Sequence, residues 1–306
     1  MITSYHSTVV PIIDASATFR DRRDSASVLV FIRRLHCLKC YPTKIIYHMI
    51  DDMNDDVKPS FVHEHATSGT FVLVHGAWHG GWCYRRVRRV LQEKGHDVYT
   101  PTLTGLGERS HLLDAGINLT THATDIANVL VWEDLHDVIL VAHSYGSWVA
   151  SAALEEVSDR VAAVVFIDCY LPRDGERLLD HGRPEAARDV EQALAQNRPG
   201  RPAPSALDFH VVDSADREWV DSRTTPQPVG SSLEPIRLTG ARERVARKVY
   251  VRAPAYRSER FDLTWQALSA TPGWEMHRFP GGHDVMIDEP ELLSRLLLSL
   301  VGSDPA

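Results

Sequence analysis

From about Gly69 onward the chain alternates short apolar runs with amphipathic stretches. This predicts an α/β fold with a mostly parallel central sheet, helices on both faces, and a cap inserted between two strands. Three observations carry that expectation. Runs such as Val138 to Val141 and Val161 to Ile167 are continuously apolar, as strands covered on both faces are. The stretches between them place core residues at helical spacing, for example Val87, Val90 and Leu91, or Ile126, Val129 and Leu130. Between Leu171 and Thr239 the alternation weakens into a Pro-, Arg- and Ala-rich segment with few aromatics, which reads as the cap.

The elements follow in order. Thr70 to His75 is a buried strand, and Trp82 to Lys94 is a helix stopped by Gly95. His96 to Thr100 is the next strand, and Ala123 to Glu133 the next helix. Val138 to Val141 is a strand that ends in the turn Ala142-His143-Ser144-Tyr145-Gly146, with a helix over Ser147 to Leu154. Strands follow at Val161 to Ile167, Val249 to Arg252 and Trp274 to Phe279, and a leucine-rich helix over Glu289 to Val301 closes the chain. The expected division is an extension at 1–68, a core at 69–170 and 240–306, and a cap at 171–239. No internal repeat is visible.

Composition narrows the function. The 306 residues are 43% hydrophobic and 24% charged, which suits a globular enzyme with a sizeable core. A net charge of -8 speaks against a nucleic-acid partner, which selects for a basic field. No apolar run reaches the roughly 18 residues of a membrane span, so no membrane partner is expected. Four scattered cysteines, Cys37, Cys40, Cys83 and Cys169, do not make a disulfide framework, and the default location is cytoplasmic. Cys37-Leu38-Lys39-Cys40 is a lone C-x-x-C, and zinc or redox use would need a second pair or a βαβ context. The first 52 residues carry seven Lys/Arg and five Asp/Glu, unlike the acidic remainder, and lack a signal-peptide pattern. The functional protein is therefore expected to start near Met53, with the upstream part disordered or dispensable.

The chemistry lies in three motifs. Ser144 sits between a buried strand and a helix in a turn whose small residues, Ala142 and Gly146, let backbones pass closely. That is the context of a nucleophile elbow, with Ala142 replacing the first glycine of G-x-S-x-G. A serine hydroxyl needs an adjacent base. Of 16 histidines, His283 stands out, because Gly281-Gly282-His283 lies between the last strand and the last helix. The third motif, His75-Gly76-Ala77-Trp78-His79-Gly80-Gly81-Trp82, follows the first strand and is the expected source of an oxyanion-hole amide, Ala77 first and Trp78 second, with the Tyr145 amide as the other donor. No Walker or dinucleotide-binding glycine pattern is present.

The order of these motifs resembles the α/β-hydrolase superfamily. His75 to Trp82 together with Ala142 to Gly146 is similar to the group of plant methylesterases, hydroxynitrile lyases and bacterial pyrethroid-type carboxylesterases. Pro101 to Gly107 and Phe166 to Pro172 extend the likeness, which covers about Thr70 to Val301. The resemblance implies a triad acid after the penultimate strand, but there the chain reads Ala253-Pro254-Ala255-Tyr256, without one. Asp168, at the tip of an apolar strand, is the other location used in the superfamily and the expected acid, since a buried carboxylate needs a partner such as a histidine. Glu259 is the alternative, although with Asp262 it looks like the first turn of a helix.

The resulting expectation is a carboxylesterase-like serine hydrolase that cleaves a hydrophobic ester or lactone through an acyl-enzyme. No metal or organic cofactor is implied. The pocket is expected to be lined by Trp78, Trp82, Tyr145, Tyr170, Phe209 and Trp219. A biosynthetic cyclase, a lactonase or a ligand-binding protein on the same scaffold is the alternative. A hydroxynitrile lyase fits less well, because Gly76 and Asp284 stand where the resemblance would imply Thr and Lys. The oligomeric state, a homodimer included, is left open.

Overall fold

A computed structural model describes residues 68–182 and 184–302. Residues 1–67 of the expected extension, with Met53, Cys37 and Cys40 among them, lie outside the described residues. Six strands form one parallel sheet: β1 (Thr70–Val74), β2 (Asp97–Tyr99), β3 (Val138–His143), β4 (Val161–Ile167), β7 (Arg247–Arg252) and β8 (Trp274–Arg278). Their order is β2-β1-β3-β4-β7-β8. In the insertion between β4 and β7, a short antiparallel ribbon pairs β5 (Gly200–Arg201) with β6 (Gln227–Pro228).

Side-chain alternation along the strands divides the core into two apolar layers. Val72, Leu140, Val164 and Phe166 face one layer, filled by Ile126 and Leu130 of helix α2 (Leu119–Trp132) and Trp148 and Leu154 of α3 (Gly146–Val157). Phe71, Leu73, Val141 and Val165 face the other, with Val87 and Leu91 of α1 (Arg85–Glu93) and Leu293 and Leu297 of α7 (Pro290–Leu298). The insertion adds α4 (Pro184–Ala195) and α5 (Ser214–Asp221), and α6 (Glu259–Ser269) links β7 to β8. The sheet therefore sits between two helical layers, and the central strands β1, β3 and β4 are covered on both sides. Each fully buried Leu or Phe in these layers contributes about 2 kcal/mol of transfer free energy.

One boundary differs from the sequence expectation by a full turn. Helix α2 begins at Leu119 rather than Ala123, because Asn118 and Thr121 form a reciprocal capping box. The cap side chain is an Asn and its partner a Thr, so the usual S/T-x-x-E/Q signature is missing.

Gly146 illustrates how closely the elements pass. A Cβ there would lie 2.7 Å from the His75 carbonyl oxygen and 2.8 Å from that of Val74, both backbone atoms. Gly146→Ala is expected to destabilise the protein by on the order of 2 kcal/mol through forced separation of α3 from β1. Thermal unfolding should show a Tm lowered by roughly 5 °C. An unchanged Tm would mean that the elbow relaxes freely.

Candidate active site

Ser144 lies just past the end of β3 with φ at +50°, a strained value for a residue with a side chain. Two backbone ties hold it there. Its N–H donates to Ile167 O at 3.0 Å, and its carbonyl accepts from Ser147 N–H at 3.0 Å and Ser147 Oγ at 2.7 Å. The side chain of Ser144 is not sealed off, whereas His283 is 5% exposed and Asp168 fully buried.

These three side chains form one hydrogen-bonded row. Ser144 Oγ is 2.9 Å from His283 Nε2, and His283 Nδ1 is 2.7 Å from Asp168 Oδ2. A carboxylate only accepts, so Nδ1 carries a proton that it donates to Asp168, and Nε2 is left to accept the Ser144 hydroxyl proton. Asp168 is fixed from the other side as well. Its Oδ1 accepts from Arg252 Nη1 at 2.5 Å and from Ala253 N–H at 3.0 Å, and its own N–H donates to Val251 O at 2.7 Å. Arg252, the last residue of β7, stands where the resemblance implied an acid nearby. It brings a cation to the acid on the adjacent strand instead. Burial opposes the charge of Arg252, but Asp168 and then Asp262 more than offset this and raise its pKa. Glu259 opens α6 behind the Ser258 cap and makes no hydrogen bond to His283. Tyr256 from the same loop stacks on the His283 ring, with centroids 4.5 Å apart.

The loop after β1 faces the elbow. Neither the Ala77 N–H nor the Tyr145 N–H is taken up by a turn or loop hydrogen bond among the described residues. The Trp78 N–H, by contrast, donates to Gln227 Oε1 at 2.9 Å, and the Trp78 carbonyl accepts from Thr225 N–H at 2.9 Å. Of the two amides expected to serve in this loop, only that of Ala77 is therefore unoccupied. A Cβ on Gly76 would approach Ser144 Cβ to 3.1 Å and His143 Nδ1 to 2.8 Å, so the loop fits against the elbow only with glycine there.

A second histidine array, not anticipated from the sequence, underlies the row. Buried His79 donates from Nδ1 to Ala77 O at 2.8 Å and from Nε2 to Asp284 Oδ2 at 3.1 Å, so both nitrogens carry protons. Burial works against this charge, but the Asp284 carboxylate outweighs it and raises the His79 pKa. Burial likewise pushes Asp284 up, and His79 with the neighbouring histidines brings it down to about 2. The pair ties the Ala77 loop to the His283 loop. His143 Nε2 donates to His283 O at 2.9 Å, and burial keeps its pKa well below normal. His75 donates from Nδ1 to Gly76 O and accepts from Leu103 N–H at Nε2, and burial lowers its pKa to about 3. Both are thus neutral and serve as backbone braces.

The His79–Asp284 pair has a predictable pH signature. A raised His pKa gives stability that is fully present below the unfolded value of 6.5 and fades as pH rises through the folded value. A depressed Asp pKa gives stability present above 3.8 and lost toward about 2. Asp284→Asn should therefore cost most stability between these limits, on the order of 3 kcal/mol. The gap to the parent protein should narrow at alkaline pH and near pH 2, as read by denaturant unfolding across pH. A pH-independent gap would mean that the pair is uncharged.

The expected lining residues separate into groups. Trp78 and Phe209 lie together with centroids 5.9 Å apart, and Phe209 stacks toward His283 at 6.3 Å. The Phe209 carbonyl also accepts the His283 N–H at 2.8 Å, which anchors that loop to the insertion. Trp82 and Trp219 meet edge-on at 5.0 Å, and Trp82 stacks on His79 at 5.2 Å. Tyr170 stacks on His181 at 4.3 Å and donates its hydroxyl to Glu176. The Tyr145 ring is buried, and its hydroxyl lies 2.8 Å from His122 Nδ1. Among the described residues no group of three or more His, Cys, Asp or Glu is arranged to hold a metal ion. No helix among them is long and apolar enough to cross a membrane.

Comparison with known proteins agrees with this architecture. The sequence pattern of the alpha/beta hydrolase family matches residues 71–296. A carbendazim-hydrolysing esterase of Nocardioides sp. is 37% identical over 245 residues, covering 75% of this chain and 98% of that protein. A putative chloroplastic methylesterase of Arabidopsis thaliana is 24% identical over 77% of this chain and 65% of its own length. In structure, an extracellular alpha/beta-hydrolase from a Paenibacillus species superposes with a TM-score of 0.68 at 23% identity, over 77% of this chain and all of that one. A pyrethroid hydrolase from Sphingobium faniae gives 0.58 at 19% identity, over 78% and 98%.

Proposed function

The chain belongs to the alpha/beta hydrolase family and is an esterase-type hydrolase; on that premise we propose that it cleaves a carboxylic ester or lactone by two-step acyl transfer, with Ser144 as nucleophile. The observation that carries this reading is the hydrogen-bonded row Ser144–His283–Asp168, with its tautomer set by Asp168. His283 Nε2 takes the Ser144 proton as Oγ attacks the carbonyl carbon. The negative charge that forms on the carbonyl oxygen is received by the Ala77 and Tyr145 amides. Collapse expels the alcohol, which takes its proton from His283. Water then gives a proton to His283, attacks the acyl-enzyme and releases the acid with Ser144 restored. Asp168 holds the Nδ1 proton and favours the imidazolium in both halves. The insertion acts as the cap, since its Phe209 and Gln227 hold the His283 and Trp78 loops.

A lyase reading gains nothing from this site, because the residue after His283 is Asp284, whose carboxylate is engaged by His79. The test is covalent labelling. A fluorophosphonate should add once to the protein, at Ser144 by peptide mass spectrometry, and abolish hydrolysis of short- and medium-chain aryl esters. Labelling at another residue, or activity that survives full labelling, would overturn the assignment.

A further inference from the structure

Arg201, on β5 of the insertion, is 5% exposed. Among the described residues its guanidinium makes no side-chain hydrogen bond or ion pair, and its Nε is buried without a partner. Its guanidinium lies over an aromatic face: Cζ is 4.4 Å from the centroid of the Trp78 ring. The indole Nε1 of that same Trp78 is also buried without a partner. Stacking on a ring offsets only part of the cost of desolvating a buried cation. Burial lowers its pKa to about 10, with Asp189 and Tyr145 acting in the opposite direction, so it stays charged at neutral pH.

The placement ties this cation to the active site. Trp78 directly follows Ala77, and its ring packs on Phe209, which in turn stacks toward His283, so Arg201 lies on the aromatic wall that leads to the reacting centre. Its partner across the ribbon is Gln227, which is fully buried and accepts the Trp78 N–H. The ribbon thus holds Arg201 and the Ala77–Trp78 loop in one rigid unit. Both unsatisfied groups, the guanidinium Nε and the indole Nε1, are donors with no acceptor capacity. Donors without acceptors in a largely buried site select an anionic oxygen group.

We propose that Arg201 is the substrate-recognition residue for a carboxylate, and that the preferred substrates are esters bearing a free carboxylate in addition to the scissile bond. This rests on Ser144 being the nucleophile. It also departs from a wholly apolar pocket: the Trp78 wall presents a cation beside its ring.

The test compares matched esters on the parent protein and on Arg201→Met and Arg201→Gln. Monomethyl adipate against methyl heptanoate places the charge on the acyl side. Meta-acetoxybenzoate against meta-tolyl acetate places it on the leaving side. For at least one pair, the ratio of kcat/KM for the anion over its neutral partner should fall about tenfold or more in both variants. A ratio unchanged in both pairs would overturn the proposal. So would a loss of Tm in both variants with unchanged ratios, which would make Arg201 a structural cation paired with Asp189 in solution. Independently of turnover, calorimetry of adipate and benzoate binding to Ser144→Ala should show saturable binding that weakens about tenfold or more when Arg201→Met is added. If no ester is cleaved and no serine is labelled, the hydrolase reading fails while this binding result still decides the role of Arg201. Absent binding, or binding indifferent to Arg201, would refute it.

Discussion

Ser144→Ala is expected to lower kcat/KM for aryl esters by about 10³-fold or more while leaving the fold intact. The hydroxyl lies 2.9 Å from His283 Nε2 and makes no other side-chain hydrogen bond, so its removal deletes the nucleophile and takes a partner from His283 Nε2 alone. The backbone bonds of the elbow, to Ile167 and from Ser147, persist with alanine. Alanine also retains the +50° φ strain, so Tm should change little. Substrate affinity should survive, because the Ala77 and Tyr145 amides and the aromatic walls remain. Equal turnover by both proteins, measured with purified samples on the same ester, would remove Ser144 from the mechanism.

Asp168→Asn is expected to lower kcat by on the order of 10⁴, the size this change has in serine–histidine–aspartate sites. An amide nitrogen facing His283 would favour the tautomer in which Nε2 carries the proton, and Nε2 could then no longer accept from Ser144. The same change strips Arg252 of its fully buried counter-charge. Arg252 keeps Asp262 at 2.9 Å, which is more than half exposed, so the stability cost should fall at the low end for a broken buried pair, about 3 kcal/mol. The two effects separate in the double variant Asp168→Asn/Arg252→Met. Stability in denaturant should recover in large part, and activity should not. Recovery of both would mean that Asp168 serves only to neutralise Arg252.

Much of this protein was legible before any fold was seen. The continuously apolar run Val161 to Ile167 reads as a buried strand, and a serine in a tight turn between such a strand and a helix is the context of a nucleophile elbow. Asp168 could be singled out because a carboxylate at the end of an apolar strand is too costly to bury without a partner. These inferences depend on local pattern: period, apolarity, turn chemistry and chain order. The start of α2 escaped because an Asn–Thr box replaces the usual capping signature.

What only the tertiary structure decided are pairings between residues far apart in the chain. His79 and Asp284 are 205 positions apart, and nothing in the spacing of either foretells a buried ion pair beneath the row. Arg252 lies 84 positions from Asp168, and its role became visible only when β7 was placed beside β4. Gln227 occupies the Trp78 amide from 149 positions away, which leaves Ala77 as the unoccupied amide of that loop. Arg201 is one of several arginines in the insertion, and only the ribbon sets it against Trp78. The reason is physical. Sequence pattern reports whether a residue tends to be buried and in what local geometry. The charge state of a buried polar group, and so its chemistry, is set by the groups that folding brings within hydrogen-bond reach.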